Sequence, residues 1–193
     1  MTSTEPPSVS PPIEFETERL RLRQWRASDH EPFAVLNADP RVMEYFPSTL
    51  TREHSDAGID RWRTEIEERG WGLWAVEIQT TGAFIGFVGL QVPTAPLPFA
   101  PCVEVGWRLA HEHWHRGYAT EAARGALRVG FERLGLPEIV SFTSVGNRRS
   151  RAVMERLGME EAKETFEHPS VPEGSPLREH CLYRLTRERW TSG

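Results

Sequence analysis

The sequence predicts an α/β protein, a mixed sheet with helices packed on its faces. Three observations carry the prediction. Apolar residues alternate with period two in several short segments. They recur with a period near 3.6 in longer segments. The two kinds interleave in the order β-α-α-β-β-β-α-β-α-β-β. The chain has 193 residues, 38% hydrophobic and 26% charged, a composition that supports a packed core rather than disorder. One domain is expected over 15–190, preceded by a disordered proline-rich tail over 1–14 that carries Pro6, Pro7, Pro11 and Pro12.

Each element follows from local chemistry. Arg19–Trp25 alternates Leu20 and Leu22 against arginines, which reads as a half-buried strand. Ser28 or Asp29 caps a short helix toward Asn37, and Pro40 stops it. Thr51 is the N-cap of a second helix to Glu68. Ile59, Trp62 and Ile66 recur along it at helical spacing, and Gly70 ends it. Leu73–Gln79 and Ala83–Gln91 are two strands joined through Thr80, Thr81 and Gly82 as a hairpin. Gly86 and Gly89 mark a bulge or close packing in the second. Pro93 to Pro101 is an irregular, proline-rich loop.

Cys102–Leu109 is the next strand. Val103, Val105, Trp107 and Leu109 share one face, and Cys102, Glu104, Gly106 and Arg108 the other. From Ala119 to Leu134 small and apolar residues line one face of a helix that Gly135 and Pro137 terminate. Glu138–Thr143 is a strand and Arg148–Leu157 a helix with Gly158 just beyond. Met159–Phe166 and His180–Thr186 are the last two strands, around a Pro/Gly loop from Pro169 to Pro176.

Composition excludes several functions. The net charge of −5 argues against a nucleic-acid partner. Lys163 is the single lysine among 23 basic residues, so a phosphate-binding loop of the Gly-x-x-x-x-Gly-Lys-Ser/Thr type is ruled out. Cys102 and Cys181 form neither a disulfide framework nor a metal spacing. No apolar run reaches the roughly 18 residues of a membrane span, and the first residues lack the basic and apolar regions of a secretory leader. A cytoplasmic location is expected, with no membrane partner.

The informative stretch is Val103 to Thr120. A strand enters a short loop, and the loop opens a helix rich in small residues. Backbone amides at such a junction point one way and form an anion site. Gly117 permits close backbone approach and Ala119 does not block it. An ordinary tight turn is the plainer reading of the same residues. A Gly-x-Gly-x-x-Gly dinucleotide fingerprint is not present there.

Glu18-Arg19-Leu20-Arg21-Leu22-Arg23, Glu104-Val105-Gly106-Trp107-Arg108-Leu109, Trp114-His115-Arg116-Gly117-Tyr118-Ala119-Thr120, Asn147-Arg148-Arg149-Ser150 and Val153-Met154-Glu155-Arg156-Leu157-Gly158-Met159 follow in one order. In these segments the chain resembles the GCN5-related N-acetyltransferases (GNAT), in the branch of the ribosomal-protein N-terminal acetyltransferases. The resemblance runs from about Phe15 to Trp190. It implies a mixed, mostly antiparallel sheet of about seven strands with about four helices, splayed between the fourth and fifth strands.

The resemblance also implies acetyl-CoA as co-substrate. Trp114, Gly117 and Ala119 match the first, fourth and sixth positions of the family's Gln/Arg-x-x-Gly-x-Gly/Ala motif, and His115 stands where a glycine is common. The backbone of Trp114, His115, Arg116, Gly117, Tyr118, Ala119 and Thr120 would hold the pyrophosphate. Trp107, Arg108 and Leu109 would pair with the pantetheine arm, with Asn147 and Ser150 beside it. Arg116, Arg148 or Arg149 would meet the 3′-phosphate or be solvated arginines.

The implied activity is transfer of an acetyl group to a primary amine, a protein N-terminus or a small molecule, by direct attack in a ternary complex. An amine attacks only when neutral, so a base is needed. Glu104 is the candidate base, or else a structural carboxylate paired with Arg108 or another arginine on the same face. The Leu109 N–H is placed to stabilise the thioester oxygen. Many relatives carry a tyrosine acid where this chain has Met154, which cannot donate a proton. That substitution keeps open a non-catalytic acyl-CoA-binding or sensing module. An aminoglycoside-type transferase is a third reading. Either solvent protonates the thiolate or another group does, with Tyr118 and Ser150 as candidates. His111, His113 and His115 lack an acid or cysteine to complete a metal site, so no metal is expected. Trp25, Tyr45, Phe46, Trp71 and Trp74 divide between the core and an acceptor pocket. A monomer or homodimer is expected.

Overall fold

The computed structural model describes residues 11–192. Most of the tail expected over 1–14 lies outside the described residues. Within it, Ile13 donates its N–H to the Gly70 carbonyl at 2.7 Å, and its own carbonyl accepts the Trp74 indole N–H at 2.7 Å.

The strands are β1 (Phe15–Glu16), β2 (Leu20–Arg23), β3 (Leu73–Ile78), β4 (Phe84–Gln91), β5 (Glu104–Leu109), β6 (Glu138–Ser144), β7 (Glu160–Glu161), β8 (Phe166–Glu167) and β9 (Glu179–Thr186). The helices are α1 (His30–Ala38), α2 (Arg52–Arg69), α3 (Tyr118–Arg128), α4 (Arg148–Arg156) and α5 (Arg187–Ser192). Among the described residues one sheet runs β1-β2-β3-β4-β5-β6-β9-β7, with β8 also on β9. All pairings are antiparallel except β5 with β6.

The sheet has nine strands rather than about seven. A two-residue β1 pairs ahead of β2, and the strand expected over Met159–Phe166 is instead two short pieces, β7 and β8. Their residues are largely exposed, so little apolar burial holds a longer ladder together there.

Local signals act as their chemistry requires. Thr51 caps α2 by accepting the His54 N–H, and Gly70 ends it at φ 80°. Asn147 caps α4 by accepting the Ser150 N–H. Asp29 does not cap α1 with a side-chain bond. It is buried, and both carboxylate oxygens accept from the guanidinium of Arg23, at 2.7 and 2.9 Å. The last turn of the α3 segment, Val129–Arg133, widens to a π-helix. Gly86, at φ 135°, sits where a Cβ would lie 2.1 Å from the Arg108 carbonyl, beside the register shift at Val76/Glu77. Backbones pass there too closely for any side chain.

The two faces of the sheet have different covers. Phe87 meets Phe33 of α1 and Trp62 of α2, with ring centroids 6.0 and 4.7 Å apart. On the opposite face, Gly130, in the π turn after α3, packs on Leu90 and Ile139. Cross-strand partners share a face, so Phe87 with Arg108 and Gln91 with Glu104 look toward α1 and α2, while Val88 with Trp107 and Leu90 with Val105 look toward α3.

β5 and β6 touch at one end only. Glu104 and Val140 form the single register pair, and Val140 donates to the Val103 carbonyl at 2.9 Å. The Ser141 hydroxyl reaches the Val105 carbonyl at 2.9 Å. Beyond that point the strands part.

Candidate active site

The gap between β5 and β6 exposes strand hydrogen-bonding groups. The Ala110 N–H donates to the Ile85 carbonyl at 2.9 Å, which sets the phase of the β4–β5 ladder. Bonded pairs alternate along an antiparallel ladder. The amides of Arg108, Gly106 and Glu104 are therefore spent on β4, and those of Trp107 and Leu109 point into the gap. The Leu109 carbonyl on that side accepts the Trp114 indole N–H at 2.8 Å. An extended ligand with amides of its own can join this edge as an added strand.

At the end of the gap the loop into α3 curls through two left-handed residues, His115 at φ 59° and Gly117 at φ 79°. A histidine in that conformation is a strained feature, found mainly where the backbone itself has a task. Glu121 donates its N–H to Gly117, leaving the amides of Tyr118, Ala119 and Thr120 as the unpartnered first amides of the helix. With the helix dipole, amides so arranged are able to bind an anion.

Arg19 and Glu121 hold this turn, and neither stands out in the sequence as a site residue. Arg19 donates through Nε to Glu121 Oε2 at 2.7 Å and through Nη1 to the Arg116 carbonyl at 3.0 Å. Its guanidinium lies 4.6 Å from the Tyr118 ring centroid. Glu121 also accepts from the Thr17 hydroxyl at 2.6 Å. Burial alone would raise the Glu121 carboxyl, but the bonds from Thr17 and Arg19 outweigh it and hold it below its ordinary value. The clue available was charge complementarity between Arg19 and a first-turn glutamate, which is useful only once the topology brings β2 to α3.

The gap belongs to a cleft of about 1390 Å³. It is lined by Trp107, Arg108, Leu109, Trp114, His115, Gly117, Tyr118, Ala119, Thr120, Asn147 and Ser150. Arg116 does not line it, whereas Arg148 and Arg149 do. Asn147 is occupied by its own junction, donating to Thr143 Oγ1 at 2.9 Å and to Ser150 Oγ at 3.1 Å. Arg149 pairs with Glu44 and stacks 4.8 Å from the Trp114 ring.

Glu104 is 8% exposed and borders the same cleft. Gln91 donates its amide N–H to Oε2 at 2.7 Å. Burial pushes the Glu104 carboxyl up to about 7, against a smaller lowering by the Gln91 bond. No arginine among the described residues pairs with it. Arg108 points to Asn37 instead, donating Nη1 to Oδ1 at 2.7 Å. A carboxyl that titrates near neutrality can take a proton at working pH.

Met154 is 1% exposed, on α4 beside the cleft. Of the candidate aromatics, Trp25 and Trp74 are core, and Tyr45 and Phe46 line the cleft. A second aromatic wall is formed by Phe142 of β6, Phe166 of β8, His168 just beyond β8 and His180 of β9. Sequence reading missed it because the β8–β9 loop separates its members. Burial pushes the His180 imidazole down to about 4. Its Nδ1 lies 3.0 Å from the Arg178 carbonyl, which makes Nδ1 the protonated nitrogen and Nε2 the free lone pair. His111 and His113 pack on Trp114 and Tyr118. Among the described residues no three His, Cys, Asp or Glu side chains gather as a metal site, and no helix is long and apolar enough to cross a membrane.

Comparison with known proteins gives a consistent picture. Residues 19–160 match the family model described as an acetyltransferase (GNAT) domain. YkkB, an uncharacterized protein of Bacillus subtilis, is 33% identical over 150 residues, 76% of this chain and 85% of its own. The FsC-acetyl coenzyme A-N(2)-transacetylase of Aspergillus fumigatus is 31% identical over 185 residues, 91% of this chain and 77% of its own. The crystal structure of an acetyltransferase from Agrobacterium tumefaciens superposes with a TM-score of 0.72 at 30% identity, covering 90% of this chain and 94% of that one.

Proposed function

Because this chain belongs to the acetyltransferase (GNAT) family, we propose that it moves an acetyl group from acetyl-CoA to a primary amine, by direct attack with both substrates bound. The observation that carries the reading is the gap itself. Free amides of Trp107 and Leu109 run along it, and the α3 amides of Tyr118 to Thr120 close its end. Those donors fit an extended amide arm followed by a pyrophosphate. Acetyl-CoA supplies an activated thioester.

The protein's own residues account for the rest. The Trp114–Thr120 backbone binds the phosphates, and Arg19 with Glu121 keeps that loop in shape. The Leu109 N–H donates to the carbonyl oxygen that becomes negative as the amine attacks, and collapse of the adduct breaks the C–S bond and expels the CoA thiolate, which solvent protonates. Glu104 accepts the amine's proton, directly or through a water, because burial holds its carboxyl near neutrality. Gln91 orients that carboxylate. The acceptor occupies the α1/α2 side of β5, between Glu104, Phe46 and the aromatic wall.

The test is release of CoA thiol from acetyl-CoA across a panel of amines, beside calorimetric binding of acetyl-CoA. Turnover of at least one amine is expected. Tight acetyl-CoA binding without thiol release from any amine would convert the reading to a non-catalytic acyl-CoA sensor, the role that Met154 keeps open.

A further inference from the structure

Arg108 is out of keeping with the rest of the molecule. It lies on β5, four residues from Glu104 and on the same face of the sheet. Its guanidinium is packed against two rings, 4.2 Å from the centroid of Phe46 and 5.5 Å from that of Phe87. Nη1 donates to the Asn37 side-chain oxygen at 2.7 Å. The other edge of the fork has no protein partner among the described residues, and Nε is a buried donor left unbonded. No carboxylate among those residues forms a salt bridge with it.

Arg108 is partly exposed, and the fully buried Arg23 shows the contrast. Arg23 is 2% exposed and fully neutralised, with Asp29 on both Nη atoms and Glu77 on Nε. Buried charges are ordinarily paired in this way, because an unpaired one is costly to keep out of water. At Arg108 the protein supplies one neutral amide oxygen and two ring faces. Burial lowers its pKa only to about 10, so it remains a cation at neutral pH. It lines the cleft, and the ring beside it, Phe46, is 38% exposed.

The missing partner is not the phosphate part of the co-substrate. The phosphate-binding turn leads into α3, which covers the opposite face of the sheet. Arg108 faces α1 and α2, the acceptor side.

We propose that Arg108 is a specificity residue for the acceptor, and that the amine acetylated by this protein carries a carboxylate which Arg108 binds. The free edge of a guanidinium matches a carboxylate with two parallel bonds. The same cation disfavours polycationic amines, and so works against the aminoglycoside type of acceptor. The inference rests on the acetyltransferase reading above.

The experiment compares matched pairs of amines by CoA thiol release, each amino acid or dipeptide against its own C-terminal amide. The parent protein is expected to favour the acid of its best pair by at least about 10-fold in kcat/KM, the size of a good charged contact. In Arg108→Gln the preference should fall to within about twofold, and Arg108→Lys should restore part of it because charge returns without the fork. Taking the ratio of the two preferences cancels differences in amine basicity. Equal or better use of the amides by the parent protein overturns the inference and leaves the acetyltransferase reading standing. An undiminished preference in Arg108→Gln also overturns it. If Arg108→Gln fails to fold, the parent's acid-to-amide ratio decides alone. Absence of thiol release from every amine removes both readings together.

Discussion

At the scale of single residues, the proposed chemistry centres on Glu104. Its type, its place within a strand and its candidacy as a base are all legible in the sequence. Its partner is not. Gln91 and Glu104 are 13 positions apart and meet only because β4 and β5 pair in one register. Glu104→Gln should lower kcat at least about 100-fold, the usual contribution of a positioned base. It should also remove the inflection near pH 7 that is expected in the rate profile of the parent protein. A profile that keeps that inflection in the variant assigns the proton transfer elsewhere. Gln91→Leu tests the same group differently. The Gln91 bond favours the ionised form, so its loss should move the inflection upward. An unmoved inflection would show that Gln91 does not act on the carboxylate.

At the scale of elements, β5 and the start of α3 do most of the positioning. The sequence shows a strand, a loop and a helix of small residues, and the αL residue Gly117 was legible as a place for close backbone approach. The left-handed His115 was not, because a histidine, though commoner at positive φ than most side chains, usually keeps a negative one, so its type alone does not mark the position. Gly117→Glu is expected to abolish detectable acetyl-CoA binding while the circular dichroism spectrum stays that of the parent. A side chain at φ 79° costs about 1–2 kcal/mol, too little to unfold a domain, but it brings a carboxylate to an anion site. Unchanged acetyl-CoA affinity would remove the loop from the binding site. The short β7 and β8 show the opposite case. Apolar and polar residues in 159–166 suggest a strand, but the ladder forms only where β9 offers an edge and a register.

At the scale of the whole molecule, buried charge sets the response to mutation and pH. Arg23 joins β2, the turn before α1 and β3 through Asp29 and Glu77. Arg23→Ala leaves the buried Asp29 without its arginine, while Glu77 keeps Arg26 and Arg21, and should cost about 3 kcal/mol, a fall of roughly 10 °C in melting temperature for a chain of this size. A fall below about 2 °C would show that the network adds little. Two other groups act against each other as pH changes. Glu104 has its folded pKa raised from 4.5 to about 7 by burial, so its contribution to stability is lost as pH rises through that window. His180 has its folded pKa lowered from 6.5 to about 4, so its contribution is lost as pH falls through an overlapping window. Their slopes oppose each other between pH 4.5 and 6.5. Glu104→Gln removes one slope. It should therefore gain on the parent by about 3 kcal/mol between pH 4.5 and 8, as read by melting temperature at each pH. A constant difference between the two proteins across that range would show that Glu104 titrates normally.

The sequence by itself determined the fold class, the order of elements and the strand–loop–helix segment from Val103 to Thr120. Those are properties of local periodicity, capping and turn chemistry, which act over a few residues at a time. It also placed Leu20 and Leu22 in the core, but it read the adjacent arginines of that strand as its outer face. Only the tertiary structure decided that Arg23 is buried between two carboxylates, that Glu104 faces Gln91 rather than Arg108, and that Arg108 faces α1 and α2 without a carboxylate. Each of those outcomes depends on which distant chain segment is brought alongside. For an ionisable side chain the neighbour across the sheet, not the neighbour in the chain, sets both its charge and its use.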